Sequence, residues 1–464
     1  MNPGLAIPAG PALRRQFPLA AAAAAEMPEL ARLALLFTLH AALGLAMHRL
    51  PALATIHTFA TVLTVLAAAV STRSPAAVLM CAAYVSGSEV LWRMSKAFTF
   101  HETAKYTVAL LSVIGLVRLR RVRLPAGAVF YLLFLLPAAI FTFVYFPLNT
   151  FRKTALFHLS GPISLTLCLL FCANIRLSIR ELWRVLIAFV APLCGVAAVT
   201  VVSSYLRQVR FTTDSNFQTS GGFGPNQVAS SLALGALMVV LIVLLGRMQW
   251  KLRALLTLLA GLLTLQSSMT FSRGGVMASA LALLLALPFV LAGHKYRRRI
   301  VAGLVVFALL LAVAFPIVNS YTGGKLAKRF AQKEMSGREQ IALIDWLLFV
   351  EHPWFGVGVG ISGYFHPGGA TAHIEFTRAI AEHGLLGIGA YLCLAWLLLR
   401  RSLAILRDPA NRPWRGFLVA LMAWSLLYMA VNAMRTSAPG FALGLAFLTI
   451  LPRQTAETEL SFSR

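Results

Sequence analysis

The sequence alternates long apolar stretches with short polar segments that are rich in arginine. Fourteen of these stretches approach the length of about 20 residues that a membrane-spanning helix needs. They lie at 31–47, 51–70, 75–92, 105–117, 125–147, 154–174, 182–202, 226–246, 252–270, 276–292, 300–318, 380–399, 416–432 and 437–452. The first and the fourth are short enough to be half-spans. The pattern predicts an all-α, polytopic membrane protein with about 12–14 transmembrane helices.

The composition supports this class. Hydrophobic residues make up 59% of the chain and charged residues 12%, whereas soluble globular proteins carry about 25% charged residues. The fourteen predicted helices would also use most of the chain, so no large soluble domain is expected. The cysteines all fall inside apolar stretches, so we interpret them as small core residues and predict neither a disulfide framework nor a zinc site.

The net charge of +26 would suit a nucleic-acid-binding protein, but its distribution argues against that class. Basic clusters, such as those at 118–123 and 295–299, occupy every second loop. This pattern is typical of cytoplasmic loops that fix the topology of a membrane protein. We therefore expect cytoplasmic tails at 1–30 and 453–464, and a single transmembrane domain at 31–452.

The longest connection, at 319–379, is predicted to be an outward loop inserted within that domain. Loops of this length are often functional. Residues 336–350 read SGREQIALIDWLLFV, in which Ser336 and Glu339 match a helix capping box. The helix is too short to span a bilayer, and its apolar residues recur at helical spacing. It is therefore predicted to be an amphipathic helix at the membrane interface.

Several arginines fall in the segments predicted to face outward. An ionisable residue at or near membrane depth is costly and is a candidate functional residue. A guanidinium group stays charged, and its planar fork matches phosphate oxygens. Converging arginines suggest a polyanionic ligand at the lipid surface, such as a lipid diphosphate. The outward acidic residues form no Asp-x-Asp pair, so no metal site and no cofactor are predicted.

Five segments carry a family resemblance. They are GFGPNQVAS at 222–230, TFSRGG at 270–275, SGR at 336–338, HPWFGVGVG at 352–360 and the segment 373–387. In this order and spacing, the sequence resembles the O-antigen ligase family, which also contains O-antigen and exopolysaccharide polymerases. The chain departs from the family's frequent His-Asn pair, because Ile374 follows His373.

The resemblance implies a multi-helix membrane fold with a large periplasmic loop, similar to the GT-C-type, lipid-dependent glycosyltransferases. It implies inverting, metal-independent transfer of a glycan from undecaprenyl diphosphate to an acceptor hydroxyl, at the periplasmic face of a bacterial inner membrane. The implied catalytic residues are His373 and Arg273. The candidate donor-binding and supporting residues are Arg207, Arg210, Arg273, Arg338, Asn226, Glu382, Arg378 and Arg435.

For most of these residues a structural interpretation stands beside the functional one. His373 is either a general base or a loop histidine bonded to backbone, with His366 and His383 as rivals. Arg273 is either a diphosphate ligand or an interface anchor, and only one of Arg207 and Arg210 is expected to bind phosphate. Two further pairs could be ordinary ion pairs: Arg338 with Glu334, and Lys105 with Glu102.

At the level of function, two alternatives remain open. The acceptor is lipid A-core in a ligase, whereas in a polymerase it is a second lipid-linked glycan. A transporter or flippase is the alternative from another class, but transporters tend to place their binding residues at the midplane between repeats. Clustering of the ionisable residues at one face favours transfer. The expected partners are these glycolipids and membrane lipids, with no nucleic acid.

Overall fold

A computed structural model describes residues 28–205, 208–246, 248–293, 297–332, 337–370 and 372–451. Nearly all of the described elements are helices. In chain order they are α1 (Glu29–Arg49), α2 (Pro51–Ser71), α3 (Pro75–Met94), α4 (Thr103–Val117), α5 (Ala126–Tyr145), α6 (Leu148–Cys172), α7 (Ile179–Tyr205), α8 (Pro225–Leu245), α9 (Trp250–Met269), α10 (Arg273–Gly293), α11 (Arg297–Tyr321), α12 (Lys325–Ala331), α13 (Arg338–Glu351), α14 (Glu375–Arg407), α15 (Arg415–Asn432) and α16 (Ala438–Leu445).

Three 3-10 turns complete the helical elements, at Ser362–Tyr364, Pro367–Gly369 and Pro409–Asn411. The two short strands, β1 (Arg176–Leu177) and β2 (Thr449–Ile450), pair in parallel. Twelve of the described helices are long and apolar enough to cross a membrane. The all-α, polytopic membrane class is therefore confirmed.

The predicted fourteenth span, 437–452, is wrong. That segment forms the eight-residue helix α16 and then strand β2. It is apolar because it is buried among other helices, and every residue of α16 is buried. Close packing explains its glycines: a Cβ at Gly440 would lie 2.8 Å from the Leu165 Cα, and one at Gly444 would lie 2.8 Å from the Cys168 Sγ. The predicted half-span 105–117 is observed as α4, a 15-residue helix.

Small residues let the helices of the core approach each other closely, as is usual in membrane bundles. A Cβ at Gly87 on α3 would lie 2.1 Å from the Phe189 carbonyl oxygen on α7. Helix α8 is wholly enclosed by its neighbours, whereas α11 lies at the periphery, where only 6% of its most apolar stretch is buried. The peripheral helix α11 and the enclosed helix α8 are similarly apolar. Hydropathy therefore does not show which of the two helices is buried inside the bundle.

The polar segments predicted to face outward meet at one end of the bundle, which we call the polar end. It comprises the described parts of 95–102, 208–224, 270–272, 322–374 and 433–437. Hydrogen bonds connect these segments: Asn216 N donates to the Thr270 carbonyl, and Arg93 donates to the carbonyls of His101 and Arg435. At the opposite end, Asn174 bonds Arg123, and β1 pairs with β2.

The chain reverses direction inside α14. Gly384 has φ +60° and ψ −140°, which breaks the helix into a short arm before it and a long arm after it. In a straight helix, residues 375 and 391 would lie about 24 Å apart. Instead, the Tyr391 hydroxyl donates to a Glu375 carboxylate oxygen at 3.3 Å. The short arm therefore folds back along the long arm and carries residues 372–375 down into the bundle.

Candidate functional site

Two of the resembling segments pack directly on each other and place Arg273. Ser272 Oγ donates to Asn226 Oδ1 at 2.6 Å, and Ser267 Oγ donates to the Ala229 carbonyl at 2.8 Å. Gly275 permits the contact, because a Cβ there would lie 2.6 Å from the Ser230 nitrogen. Arg273 is the first residue of α10, so its backbone stands at a helix N-terminus, which favours anions.

Three arginines gather around this helix start. Arg273 and Arg329 both donate to Gln332, to its carbonyl and its side chain respectively, and Arg329 Nε also donates to the Phe271 carbonyl at 3.0 Å. Burial lowers the pKa of Arg338, and the nearby charges of Arg273 and Arg329 lower it further. The pKa of Arg329 is lowered in the same way, by burial and then by Arg273, with Asp214 acting in the opposite direction. The guanidinium groups therefore lie within electrostatic range of each other.

His373 lies beside a fourth arginine, in the descending segment before α14. Arg435 donates to the carbonyl of Ala372 at 3.2 Å. Burial lowers the pKa of His373 to about 4, with further contributions from Arg435 and Arg338. The imidazole is therefore neutral at pH 7. Its Nδ1 atom is buried and makes no hydrogen bond to the described part of the chain.

Arg338 connects these two groups, because it acts electrostatically on both His373 and Arg435. We refer to Arg273, Arg329, Arg338 and Arg435 as the arginine cluster. Its members come from α10, α12, α13 and the turn after α15. The site is thus built from positions more than 160 residues apart in sequence, of which Arg329 was not predicted.

The rival histidines are differently engaged. His366 bonds Asp345 Oδ1 at 2.9 Å and the Ala370 carbonyl at 2.7 Å, so both ring nitrogens hold the loop together. The pKa of His366 is raised: burial lowers it, but the bonds to Asp345 and Ala370 outweigh burial. His383 is buried in α14 next to the Gly384 reversal. The groups that act on His366 are Asp345, Ala370 and Glu382, and the arginine that acts on His383 is Arg378, which lies outside the group around His373.

Arg378 and Glu382 neutralise each other within the short arm of α14. Arg378 donates to Glu382 Oε2 at 2.7 Å and also pairs with Glu375. Glu382 accepts a further bond from Ser362 Oγ at 2.9 Å. This group sets two carboxylates around one guanidinium within the short arm of α14.

The remaining predicted residues are placed as follows. Arg207 lies outside the described residues. Arg210 is exposed, one residue before Phe211, whose ring stacks on Phe271 at 5.8 Å. Ser336 and Glu334 also lie outside the described residues, and the N-cap of α13 is Gly337, with φ +75°. The capping-box expectation therefore does not describe the observed helix start.

Lys105 is not paired with Glu102 in the way the spacing suggested. It is buried, and its Nζ donates to Ser160 Oγ at 2.9 Å. Glu102 instead lies 3.3 Å from His101. Across the described ranges, no group of three or more histidine, cysteine or acidic side chains is placed to hold a metal ion.

Comparison with known proteins adds one finding to this geometry. Residues 268–392 match the family model described as O-antigen ligase. The matched range contains Arg273, Arg329, Arg338 and His373. A search of curated proteins finds no match to the chain. The resemblance to the O-antigen ligase family is thus confirmed over residues 268–392, within a chain that has the helices of a multi-pass membrane protein.

Proposed function

We propose that the protein transfers a glycan from a lipid diphosphate to an acceptor hydroxyl at the polar end of the bundle. The observation that carries the proposal is the arginine cluster beside a neutral His373. Guanidinium groups bind phosphate oxygens through charge-assisted hydrogen bonds. The cluster holds four of them, and two, Arg338 and Arg435, act on His373. This arrangement matches the two needs of glycan transfer: holding a departing diphosphate and activating a hydroxyl.

The arginine cluster would act on the leaving group. As the glycosidic bond breaks, negative charge grows on the diphosphate, and fixed cations placed there stabilise the transition state. Arg273 adds the positive end of the α10 dipole to its own charge. These fixed charges supply the stabilisation that a divalent metal gives in other phosphate sites, so we expect the reaction to need no metal.

His373 would act on the acceptor. Its pKa of about 4 leaves the imidazole unprotonated at neutral pH, although it makes the free imidazole a weak base. Burial is the largest cause of this low pKa, and the charges of Arg435 and Arg338 add to it. A diphosphate bound between Arg338 and Arg435 would offset these two charges, so donor binding would raise the basicity of His373 in part before the hydroxyl is attacked. We therefore expect the donor to bind before proton transfer.

The depth of the site suits substrates that are both carried by lipids. Lys105, whose Nζ approaches the turn that holds Arg435, lies twelve residues from the far end of α4, or about 18 Å. The site is thus part of the polar end of the membrane helices and does not sit on a soluble domain. Two substrates anchored in one membrane leaflet would reach it with their orientation already restricted.

The basic loops at the opposite end support an orientation with that end in the cytoplasm and the polar end in the periplasm. We therefore propose that the protein lies in a bacterial inner membrane with both termini in the cytoplasm, and that 319–379 is a periplasmic loop. Cysteines introduced one at a time at Arg297 and Tyr364 test the orientation. A membrane-impermeant thiol reagent should label the second position in intact cells and leave the first unlabelled.

The donor is proposed to be an undecaprenyl-diphosphate-linked glycan and the acceptor lipid A-core, which makes the protein a ligase. The test uses purified protein in lipid nanodiscs with the lipid-linked glycan and has three arms. The first contains lipid A-core, the second contains no second acceptor, and the third contains lipid A-core together with a chelator. Glycosylated lipid A-core in the first and third arms supports the proposal. A longer lipid-linked glycan in the second arm would instead assign the polymerase reaction.

A further inference from the structure

Charged side chains bond four backbone groups of the turn between α15 and α16. This turn comprises residues 433–437 and carries Arg435. Glu375 accepts a hydrogen bond from Met434 N at 3.0 Å, while Lys105 Nζ lies 3.4 Å from the Met434 carbonyl oxygen. Arg93 donates to the Arg435 carbonyl at 2.9 Å.

At the last residue of the turn, Ser437, one carboxylate makes several hydrogen bonds. One Glu89 oxygen accepts from both the backbone nitrogen and the hydroxyl of Ser437, at 2.7 and 2.8 Å. The other Glu89 oxygen pairs with Arg93 at 2.5 Å. Arg93 also donates to the Gln227 side chain at 2.8 Å, which connects the turn to the 222–230 segment. A single ion pair on α3 therefore bonds both the turn and a segment that packs on Arg273.

We call Glu89, Arg93, Lys105 and Glu375 the ionic frame. Glu89, Lys105 and Glu375 are each 1% exposed, and the Arg93 side chain is 7% exposed. Burying charges inside a membrane protein is costly even when they are paired. Holding a turn does not by itself require charge, because neutral polar side chains also bond backbone groups. Closing the turn therefore does not by itself explain why the ionic frame consists of buried charged residues.

The reason lies in what the turn carries. Ala433 has φ +47°, a conformation that non-glycine residues rarely adopt, so the backbone is kept in an unusual path by its surroundings. That path directs the Arg435 guanidinium to the Ala372 carbonyl, one residue from His373. We propose that Glu89, together with Arg93, is a positioning residue that fixes Arg435 beside His373. This inference rests on the proposed function, because it assigns Arg435 to the donor site.

The test is a double-mutant cycle on transfer in nanodiscs, with Glu89→Gln, Arg435→Gln and the combined variant. Glu89→Gln keeps the shape of the side chain but removes the charge that Arg93 requires. We expect kcat/KM for the donor to fall about 10- to 100-fold, the range expected for loss of one charge-assisted contact. Because Glu89 acts through Arg435, its effect should nearly vanish in the Arg435→Gln background.

Glu181→Gln is the matched control. Glu181 accepts bonds at 2.8 Å from the backbone nitrogen and hydroxyl of Ser178, the same pattern as Glu89 with Ser437, but at the opposite end of the bundle. The Glu181→Gln variant should therefore have the kcat and KM of the wild-type protein. Glu89→Asp, which retains the charge, should recover part of the activity. It also replaces Glu89→Gln in the double-mutant cycle if that variant does not fold. Thermal unfolding of each preparation normalises the rates to folded protein.

The outcomes separate the two proposals. Strong coupling between Glu89 and Arg435 supports the positioning role. Additive effects, or wild-type kinetics in Glu89→Gln with impaired Arg435→Gln, would overturn that role while the proposed function stands. If the wild-type protein neither binds undecaprenyl diphosphate nor transfers a glycan from it, the proposed function fails and the inference falls with it.

Discussion

Replacement of Gly384 by alanine tests whether the reversal of α14 builds the site. Two costs follow from the structure. The φ of +60° with ψ of −140° lies in a region reserved for glycine, which costs about 1–3 kcal/mol for another residue. The new Cβ would also lie 2.3 Å from the Pro353 carbonyl oxygen, and such overpacking typically costs about 1–3 kcal/mol. The sum, about 2–6 kcal/mol, is a large share of the stability of a typical domain.

The site should suffer more than the bundle as a whole. The two arms of α14 can relieve the strain by straightening, which would pull Glu375 from Tyr391 and from the Met434 nitrogen. We expect Gly384→Ala to lose transfer by at least about 100-fold, the rate equivalent of 2.7 kcal/mol, while much of the bundle remains helical by circular dichroism. Both quantities are measured on the same nanodisc preparation.

Gly389→Ala is the control within the same helix. A Cβ there would lie 3.4 Å from the Phe134 ring, which is ordinary contact, and alanine favours a helix by about 1 kcal/mol over glycine. Its activity and melting temperature should stay at or above wild type. Full activity in Gly384→Ala would show that the reversal is not needed for the site.

Three further predictions concern single residues. Arg273→Lys should recover only part of the transfer lost in Arg273→Ala, because a point charge cannot reproduce a bidentate fork; equal rates in lysine and wild-type proteins would contradict this. The acid limb of kcat/KM should fall near pH 4, where His373 is protonated, and should move to higher pH in Arg435→Gln; an unchanged pH profile would remove the link between them. His366 has a raised pKa in the folded state, so its bond with Asp345 stabilises the protein below the unfolded pKa of about 6.5 and less as pH rises through the folded value. Melting temperatures at pH 6 and pH 9 should therefore differ less in His366→Gln than in wild type, and an equal difference in both would count against this pair.

Hydropathy was sufficient for most of the fold, because a lipid-facing helix and a buried helix are both continuously apolar. The same property explains the failure at 437–452. Residues 438–448 are apolar because α6, α15 and neighbouring helices enclose them. The length of the segment was the signal that it does not span the membrane. Its glycine and proline residues leave too few residues for an unbroken membrane-spanning helix.

The reversal at Gly384 could not be predicted from the pattern. Apolar positions continue at helical spacing on both sides of the glycine, so the predicted span 380–399 shows no break at this position. The break depends on a tertiary contact, in which Leu385 N donates to the Pro353 carbonyl at 2.7 Å. The motif HPW at 352–354 therefore serves as the partner of the reversal, a role that local sequence does not show.

The candidate site was predicted in part. His373, Arg273, Arg338 and Arg435 were identified from their place in outward segments and from the resemblance, and the structure places them at one end. Arg329 was missed because a lysine- and arginine-rich helix such as 325–331 resembles a solvated surface. Glu89 was missed although an acidic residue inside an apolar span is itself a signal of function.

Donor binding and single-turnover transfer, measured on the same preparation of His373→Gln, test the role of His373 as the base. The arginine cluster is intact in this variant, so the lipid-linked donor should bind within about 3-fold of wild type, a difference below 1 kcal/mol. Transfer should fall by about 10²–10⁴-fold, the range for loss of a general base. Transfer at the wild-type rate, or a loss of donor binding as large as the loss of transfer, would contradict the assignment of His373 as the base beside an arginine-bound diphosphate.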